Sequence, residues 1–148
     1  MNVRPTIKGQ CLCGAVTIEA VLEETGLTVC HCDMCRRHTS SFFAGLSPVQ
    51  SSLKIEGPAR SFRSSDWAER GFCEVCGSTL WYGTVHDGAR YLAAGLFDNA
   101  AGKAVDVEYY IEKCPLGYGV KGDHKRMTEA ETIAFFTGEP APEDNRDD

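Results

Sequence analysis

Seven cysteines in three short clusters are the residues of this sequence best suited to chemistry. The clusters are Cys11-Leu12-Cys13, Cys30-His31-Cys32-Asp33-Met34-Cys35 and Cys73-Glu74-Val75-Cys76. Gaps of one or two residues allow neighbouring sulfurs to converge on one cation, because a tight turn aims both side chains inward. Thiolates arranged in this way are ligands that tetrahedral zinc prefers. The clusters therefore predict metal sites.

The first and third clusters predict a structural zinc site. Neither pair can complete a tetrahedron alone, and together they supply four thiolates, which is typical of a closed zinc site. Its ligands would be Cys11, Cys13, Cys73 and Cys76. Such a site would link distant parts of the chain and restrict the unfolded state.

The second cluster predicts a different kind of site, because it offers only three thiolates. Cys30, Cys32 and Cys35 would leave one coordination position for a substrate, as catalytic zinc sites do. The alternative is a closed second site, with His38 or Cys114 as the fourth ligand. Zn²⁺ with three thiolates has a net charge of −1, and it could still accept a fourth thiolate. A small thiol is therefore the substrate class that this site favours.

Composition narrows the function classes. A chain of 148 residues corresponds to about one domain, and 43% hydrophobic with 24% charged residues is typical of globular proteins. The net charge of −6 argues against nucleic-acid binding. Oligomeric state stays open, with a homodimer as one option.

The N-terminus lacks the apolar core of a signal peptide, and no apolar run approaches the roughly 20 residues of a membrane span. We therefore expect a cytoplasmic protein with no membrane partner. In a reducing compartment, clustered cysteines bind metals more often than they form disulfides. Disulfides across clusters are the rival interpretation, since the total of eight cysteines is even.

Short strands separated by turns must position the cysteines, and this pattern predicts a mainly β domain. A strand over 27–30 leads into the second cluster, and strands over 69–72 and 79–82 flank the third cluster as a hairpin. Further strands are predicted over 15–21, 41–46, 53–56, 59–63, 90–97 and 107–112. His86-Asp87-Gly88 predicts a hairpin turn.

The C-terminal part carries the only helix that the sequence predicts. Thr128-Glu129-Ala130-Glu131 forms a capping box, and Gly138 ends the helix. We divide the chain into a zinc domain over 1–126, a helix over 127–138 and an acidic, disordered tail over 139–148.

Three spaced motifs together resemble one known family. The motifs are Gly9-x-Cys11-x-Cys13-Gly14, Cys30-His31-Cys32-x-x-Cys35-Arg36 and Phe72-Cys73-x-x-Cys76-Gly77-Ser78-x-Leu80, and Ala94-Gly95-Leu96-Phe97-Asp98 is similar as well. Over about residues 7–115 the chain resembles the glutathione-dependent formaldehyde-activating family, also called the CENP-V/GFA family. The segment from Cys114 to Gly119 departs from that pattern.

The resemblance implies an Mss4-like, mainly β fold of short antiparallel sheets with zinc knuckles and two zinc ions per chain. It implies that Cys11, Cys13, Cys73 and Cys76 hold the structural ion, and that Cys30, Cys32 and Cys35 are the catalytic residues. The implied activity is that of a carbon–sulfur lyase, which condenses glutathione with formaldehyde to S-(hydroxymethyl)glutathione. Many members of the family have no assigned substrate.

Several other side chains have two interpretations each. Arg36 could bind a substrate carboxylate or form a solvated ion pair. His31 could shuttle a proton, although packing or a hydrogen bond that supports the metal site is the simpler interpretation. Neither His86 nor His124 has a sequence context that indicates catalysis.

Two other functions stay open beside the enzyme. One is a non-catalytic, zinc-stabilised binding module, which a fourth protein ligand on the second site would favour. The other is zinc storage or thiol redox sensing, in which oxidation releases the metal from the three-cysteine site.

Overall fold

A computed structural model describes residues 4–139 of the chain. The predicted acidic tail lies outside the described residues except for Glu139. Within this range there are eleven strands and two α-helices. The prediction of a mainly β fold with a short C-terminal helix is confirmed.

The strands are β1 Thr6–Gln10, β2 Thr17–Val21, β3 Leu27–Cys30, β4 Phe43–Leu46, β5 Lys54–Glu56, β6 Ala59–Arg63, β7 Ala68–Cys73, β8 Thr79–Thr84, β9 Arg90–Ala93, β10 Val105–Tyr109 and β11 Lys125–Arg126. The helices are α1 Asp33–Thr39 and α2 Glu129–Thr137. Two predicted strands were too long at their C-terminal ends. β9 gives way to a 3₁₀ turn at Ala94–Leu96, and β10 ends before another at Ile111–Lys113.

The strands form two sheets. The smaller sheet has the order β1-β2-β5, and the larger has the order β11-β10-β3-β4-β9-β8-β7-β6. Most neighbours are antiparallel, but β10 runs parallel to both β3 and β11. This parallel pairing places the end of β10 beside the end of β3, where the second cysteine cluster begins.

The hydrophobic core contains side chains from both sheets. Val16 just before β2 and its alternate neighbours Ile18 and Ala20 within the strand are buried, as the predicted alternation requires. They belong to the same cluster as Leu46 of β4 and Leu92 of β9. Apolar burial between the sheets therefore provides a core that does not depend on metal alone.

The third cysteine cluster lies on the predicted hairpin. β7 and β8 pair antiparallel, and the turn between them carries Cys76 and Gly77. Gly77 has a φ of 77°, in the left-handed region that glycine adopts without strain. The turn after β8 also has a left-handed glycine, Gly88, as expected for the second hairpin.

Gly71 allows β7 to pack closely against β8. A Cβ at this position would lie 2.1 Å from Cδ2 of Trp81, the residue opposite in the register. We expect Gly71→Ala to lower the free energy of unfolding by about 1–3 kcal/mol, measured by denaturant unfolding. Gly95→Ala is the matched control, because a Cβ there would meet no atom within 4 Å. Equal stability of the two variants would contradict this account.

The prediction of a single, late helix is wrong, because α1 begins within the second cysteine cluster. Cys32 is its N-cap, and its sulfur accepts a hydrogen bond from the Cys35 amide at 3.4 Å. Ser40, with a φ of 71°, ends the helix and donates its N–H to the Arg36 carbonyl at 2.7 Å. A seven-residue helix has too few turns to show an apolar period, so the sequence gives little sign of it.

The C-terminal helix has the capping box that the sequence predicts. The Thr128 hydroxyl accepts the Glu131 N–H at 3.2 Å, and the Glu131 carboxylate accepts the Thr128 N–H at 3.2 Å. Gly138 ends the helix in a left-handed conformation. Across the described range, no helix is long and apolar enough to cross a membrane.

Candidate metal centres

The first and third cysteine clusters come together as one group of four sulfurs. The sulfurs of Cys11, Cys13, Cys73 and Cys76 all lie within 4.8 Å of one another. The Cys11 and Cys13 sulfurs are 3.6 Å apart, and the Cys13 and Cys73 sulfurs are 3.9 Å apart. These separations exceed a disulfide bond of about 2.05 Å by far. All eight cysteines lie in the described range and are free thiols, so disulfides between clusters are not formed.

Local contacts orient this group. The Val16 N–H donates to the Cys11 sulfur at 3.3 Å. The Ser78 hydroxyl lies 3.1 Å from the Cys76 sulfur and accepts the Leu12 N–H at 3.0 Å, so it connects both turns. Cys11 follows β1 of the smaller sheet and Cys73 ends β7 of the larger one. A metal ion at this point would connect the two sheets.

The second cluster forms a separate group of three sulfurs within 4.8 Å of one another. Cys30 ends β3, Cys32 caps α1, and Cys35 lies inside α1. The strand-to-helix transition therefore turns the chain so that all three thiols face one point. Cys35 is buried, whereas Cys30 and Cys32 are half-buried.

Proximity makes these thiols unequal in acidity. Hydrogen bonds from the Cys30 and Cys35 thiols hold the pKa of Cys32 far below its usual range, with a smaller effect from the positive charge of Arg70. Contacts with the Cys32 and Cys35 thiols, followed by burial, raise the pKa of Cys30. The arrangement therefore favours a thiolate at Cys32, and thiolate is the form in which cysteine binds metals.

Neither proposed fourth ligand joins the three-cysteine group. Among residues 4–139, no histidine, cysteine or carboxylate places a fourth ligand atom within 4.8 Å of all three sulfurs. Both ring nitrogens of His38 are buried without a hydrogen-bond partner, and the Cys114 thiol lies 3.5 Å from the Pro115 carbonyl oxygen instead. The three-sulfur arrangement predicted from the sequence is therefore what the fold presents.

Arg70 is a neighbour of this group that the sequence analysis missed. It is 4% exposed, and its Nη1 donates to the Cys35 sulfur at 3.3 Å. Its guanidinium carbon lies 4.6 Å from the centre of the Tyr82 ring. In the sequence it is one of three arginines between positions 60 and 70, and nothing local distinguishes it from Arg60 and Arg63, which are exposed on β6.

A buried carboxylate, Glu108, supports the segment between Cys30 and Cys32. Its Oε2 lies 2.7 Å from Nε2 of His31, and its Oε1 lies 2.5 Å from Nε2 of His124. Arg126 contributes an ion pair at 3.4 Å. Burial alone would raise the pKa of Glu108, but the hydrogen bonds from His124 and His31 outweigh it and leave the pKa below its usual value.

These contacts settle the position of two histidines. His31 is turned away from the metal group into a buried hydrogen bond, which confirms the simpler of its two interpretations. His124, to which the sequence assigned no role, is nearly buried against the same carboxylate. The signal that could have found this cluster is the glutamate inside the predicted strand over 107–112, because a charged residue in an apolar strand needs partners.

Tyr110 follows the last residue of β10, which pairs with Cys30, and its backbone is strained. Its φ of 57° and ψ of 47° are left-handed, which is uncommon for a residue with a large side chain. Burial, followed by the negative charges of Cys32 and Cys30, raises the pKa of its phenol to about 12. The raised pKa keeps the phenol of Tyr110 protonated near neutral pH.

Arg36 lies where the simpler of its two interpretations placed it, in a solvated ion pair. The Arg36 guanidinium forms an exposed ion pair with Asp33 at 3.4 Å, which leaves its proposed role in substrate binding a prediction. An open groove of about 780 Å³ is lined by ten residues, including Arg4 and Asp87 but no cysteine, so it is not part of either metal centre.

Comparisons with known proteins agree with this geometry. Residues 6–113 match the family model described as glutathione-dependent formaldehyde-activating enzyme. A Schizosaccharomyces pombe (strain 972 / ATCC 24843) protein named as an uncharacterized lyase is 34% identical over 131 residues, which cover 87% of this chain and 96% of that protein. A crystal structure of a Rhodobacter sphaeroides protein aligns with a TM-score of 0.52 at 21% identity, covering 81% of this chain and 99% of that one. The last similarity concerns the fold alone.

Proposed function

Because this chain belongs to the glutathione-dependent formaldehyde-activating enzyme family, we propose that it is a zinc-dependent carbon–sulfur lyase. Its substrates would be a small thiol, with glutathione as the leading candidate, and formaldehyde or a related small aldehyde. The observation that carries the proposal is the three-sulfur group, to which the described residues add no fourth ligand. The lyase name of the yeast relative supports the reaction class.

The residues present fit zinc. Sulfurs about 2.3 Å from zinc in a tetrahedron are about 3.8 Å from one another. The measured separations of 3.6 Å and 3.9 Å in the four-cysteine group are close to this edge. Cys11, Cys13, Cys73 and Cys76 would hold a structural ion. Cys30, Cys32 and Cys35 would hold a second ion with one coordination position open.

The chemistry needs few further groups. Zinc at the three-cysteine site would bind the substrate thiol as a thiolate and keep it nucleophilic near neutral pH. In the reaction the thiol sulfur bonds to the carbonyl carbon, the carbonyl π bond breaks, and the proton lost by the thiol ends on the new hydroxyl. The lyase direction is the reverse. The buried pair of His31 and Glu108 holds the loop between Cys30 and Cys32 in place for this task.

We expect Cys32→Ser to lower the rate of thiol–aldehyde exchange by more than about a hundredfold, since residues outside the ligand shell already change activity by about 10–100-fold. The measurement is exchange NMR on zinc-loaded protein with glutathione and formaldehyde. Metal content should fall from two ions per chain to one, while the fold is retained.

Cys114→Ser is the control, because Cys114 is half-buried and belongs to neither sulfur group. It should leave both the rate and the metal content unchanged. Full turnover by Cys32→Ser would refute the proposed mechanism. Comparing glutathione with 2-mercaptoethanol tests the substrate: equal rates would argue against a glutathione-specific enzyme without contradicting thiol–aldehyde chemistry.

A further inference from the structure

Arg70 is a buried cation that forms no ion pair with an aspartate or glutamate of the described residues. Its side chain contacts the Cys35 sulfur and the face of Tyr82, and its Nε has no hydrogen-bond partner. No ion pair within residues 4–139 includes it. Burying an unpaired charge costs several kcal/mol, so a stable fold requires an anion next to this guanidinium.

The three-cysteine group is the anion that the position of Arg70 implies. Three neutral thiols would leave the guanidinium uncompensated. A single thiolate among the three would supply a charge of −1, and three thiolates around a divalent ion carry the same net charge with every sulfur in the form that binds metal. Arginine stays protonated in proteins, so its charge is fixed. With the metal bound, guanidinium and metal group together are neutral, which a buried site tolerates best.

We propose that Arg70 is the counter-cation of the three-cysteine metal centre, and that it tunes this centre to bind an anionic fourth ligand. Without Arg70, a fourth thiolate would bring the centre to a net charge of −2. With Arg70, the total is −1. The guanidinium therefore favours a thiolate in the open position. Arg70 is a positioning residue, since it acts through Cys35.

The same contact makes the sulfur of Cys35 less reactive than the sulfur of a substrate thiolate. The hydrogen bond from Nη1 withdraws electron density from the Cys35 thiolate, which makes that ligand a weaker nucleophile. A thiolate that enters from solution lacks this contact. An aldehyde would thus react with the substrate thiolate and spare the ligand. The inference rests on the metal assignment of the proposed function and not on its aldehyde substrate.

The first experiment is a double-mutant cycle that reads stability and needs no activity. Arg70→Met is made in the natural chain and in a chain with serine at 30, 32 and 35, both loaded with zinc. In the natural chain, the substitution should lower the unfolding midpoint. In the triple-serine chain, it should leave the midpoint unchanged or raise it, because it removes a cation that has no partner there. The same loss in both backgrounds would mean that Arg70 only packs, and would overturn the proposal.

The second experiment measures the metal and the fourth ligand directly. Competition with a zinc chelator should show the second zinc of Arg70→Met bound about 10–100-fold more weakly, and Arg70→Lys should lose less. In cobalt-loaded protein, 2-mercaptoethanol should increase the sulfur-to-cobalt charge-transfer band, with a weaker apparent affinity in Arg70→Met. Natural affinities for both zinc and thiol in Arg70→Met would refute the proposal, even if the triple-serine chain failed to fold.

Arg90→Met is the matched control. Arg90 also stacks on an aromatic ring, 4.2 Å from the centre of the Trp81 ring, but it is more exposed and contacts no cysteine sulfur. It should leave zinc and thiol affinities unchanged. If thiol–aldehyde exchange is absent while the Arg70 effects appear, the proposed function fails and this inference stands. If exchange is present without the Arg70 effects, the proposed function stands and this inference fails.

Discussion

Cys73→Ser is expected to destabilise the protein more than any other single substitution considered above. Cys73 is fully buried at the end of β7, and its sulfur is part of the four-cysteine group that connects the two sheets. Structural zinc contributes about 10–16 kcal/mol in small zinc domains, and losing one of four ligands should remove on the order of 5 kcal/mol of it. Since domains are stable by only about 5–15 kcal/mol, the variant should be largely unfolded or melt far below the natural chain.

The test is thermal unfolding by circular dichroism together with metal analysis. The triple replacement of Cys30, Cys32 and Cys35 by serine provides the comparison, because it should retain the fold and one zinc ion per chain. Cys114→Ser should change the stability by no more than about 0.5 kcal/mol. A folded Cys73→Ser protein with one zinc ion and near-natural stability would show that the four-cysteine site is not structural.

Glu108→Gln is expected to have the next largest effect on stability. The carboxylate is fully buried between His31 and His124 and also pairs with Arg126. An amide of the same shape offers one acceptor and one donor where two acceptors are needed, and the arginine loses its counter-charge. Breaking a buried pair in this way costs about 3–5 kcal/mol. Denaturant unfolding at pH 7 measures the loss.

Two comparisons make this prediction specific. Glu19→Gln removes an exposed ion pair with Lys8 and should cost less than about 1 kcal/mol. The pKa of folded Glu108 lies below its ordinary 4.5, so its charged form stabilises the fold above that pH and the benefit is lost as pH falls through the lowered pKa. The difference in stability between the natural chain and Glu108→Gln should therefore be constant near neutral pH and shrink below about pH 4.5. A difference that grows on acidification would contradict the role of the carboxylate.

Much of the strand layout could be predicted because β-strands leave a local signature. The strands over 27–30 and 59–63 are observed with the predicted bounds, and the capping box at Thr128 is formed as expected. β1 and α1 escaped prediction for physical reasons. The half-buried face of β1 carries only Ile7 and Gly9, so a single apolar side chain marks the strand in the sequence. α1 is held by a cysteine N-cap and its place in the fold rather than by an apolar period.

The sequence by itself predicted the two groups of cysteines and the family. Sulfurs one to three residues apart reach a common point wherever the segment lies, because a tight turn between them aims their side chains inward. The three-cysteine group follows from this spacing, whereas the four-cysteine group also needs the fold to bring the first and third clusters together across 60 residues.

Only the tertiary structure decided which charged residues are buried beside those ligands. Arg70 meets Cys35 across 35 residues of sequence, and Glu108 meets His31 across 77. Whether a charge in a strand faces water or the interior depends on the sheet that covers it, and the parallel pairing of β10 with β3 has no local signature. Long-range packing thus set the electrostatics around a three-cysteine group that short-range spacing already predicted.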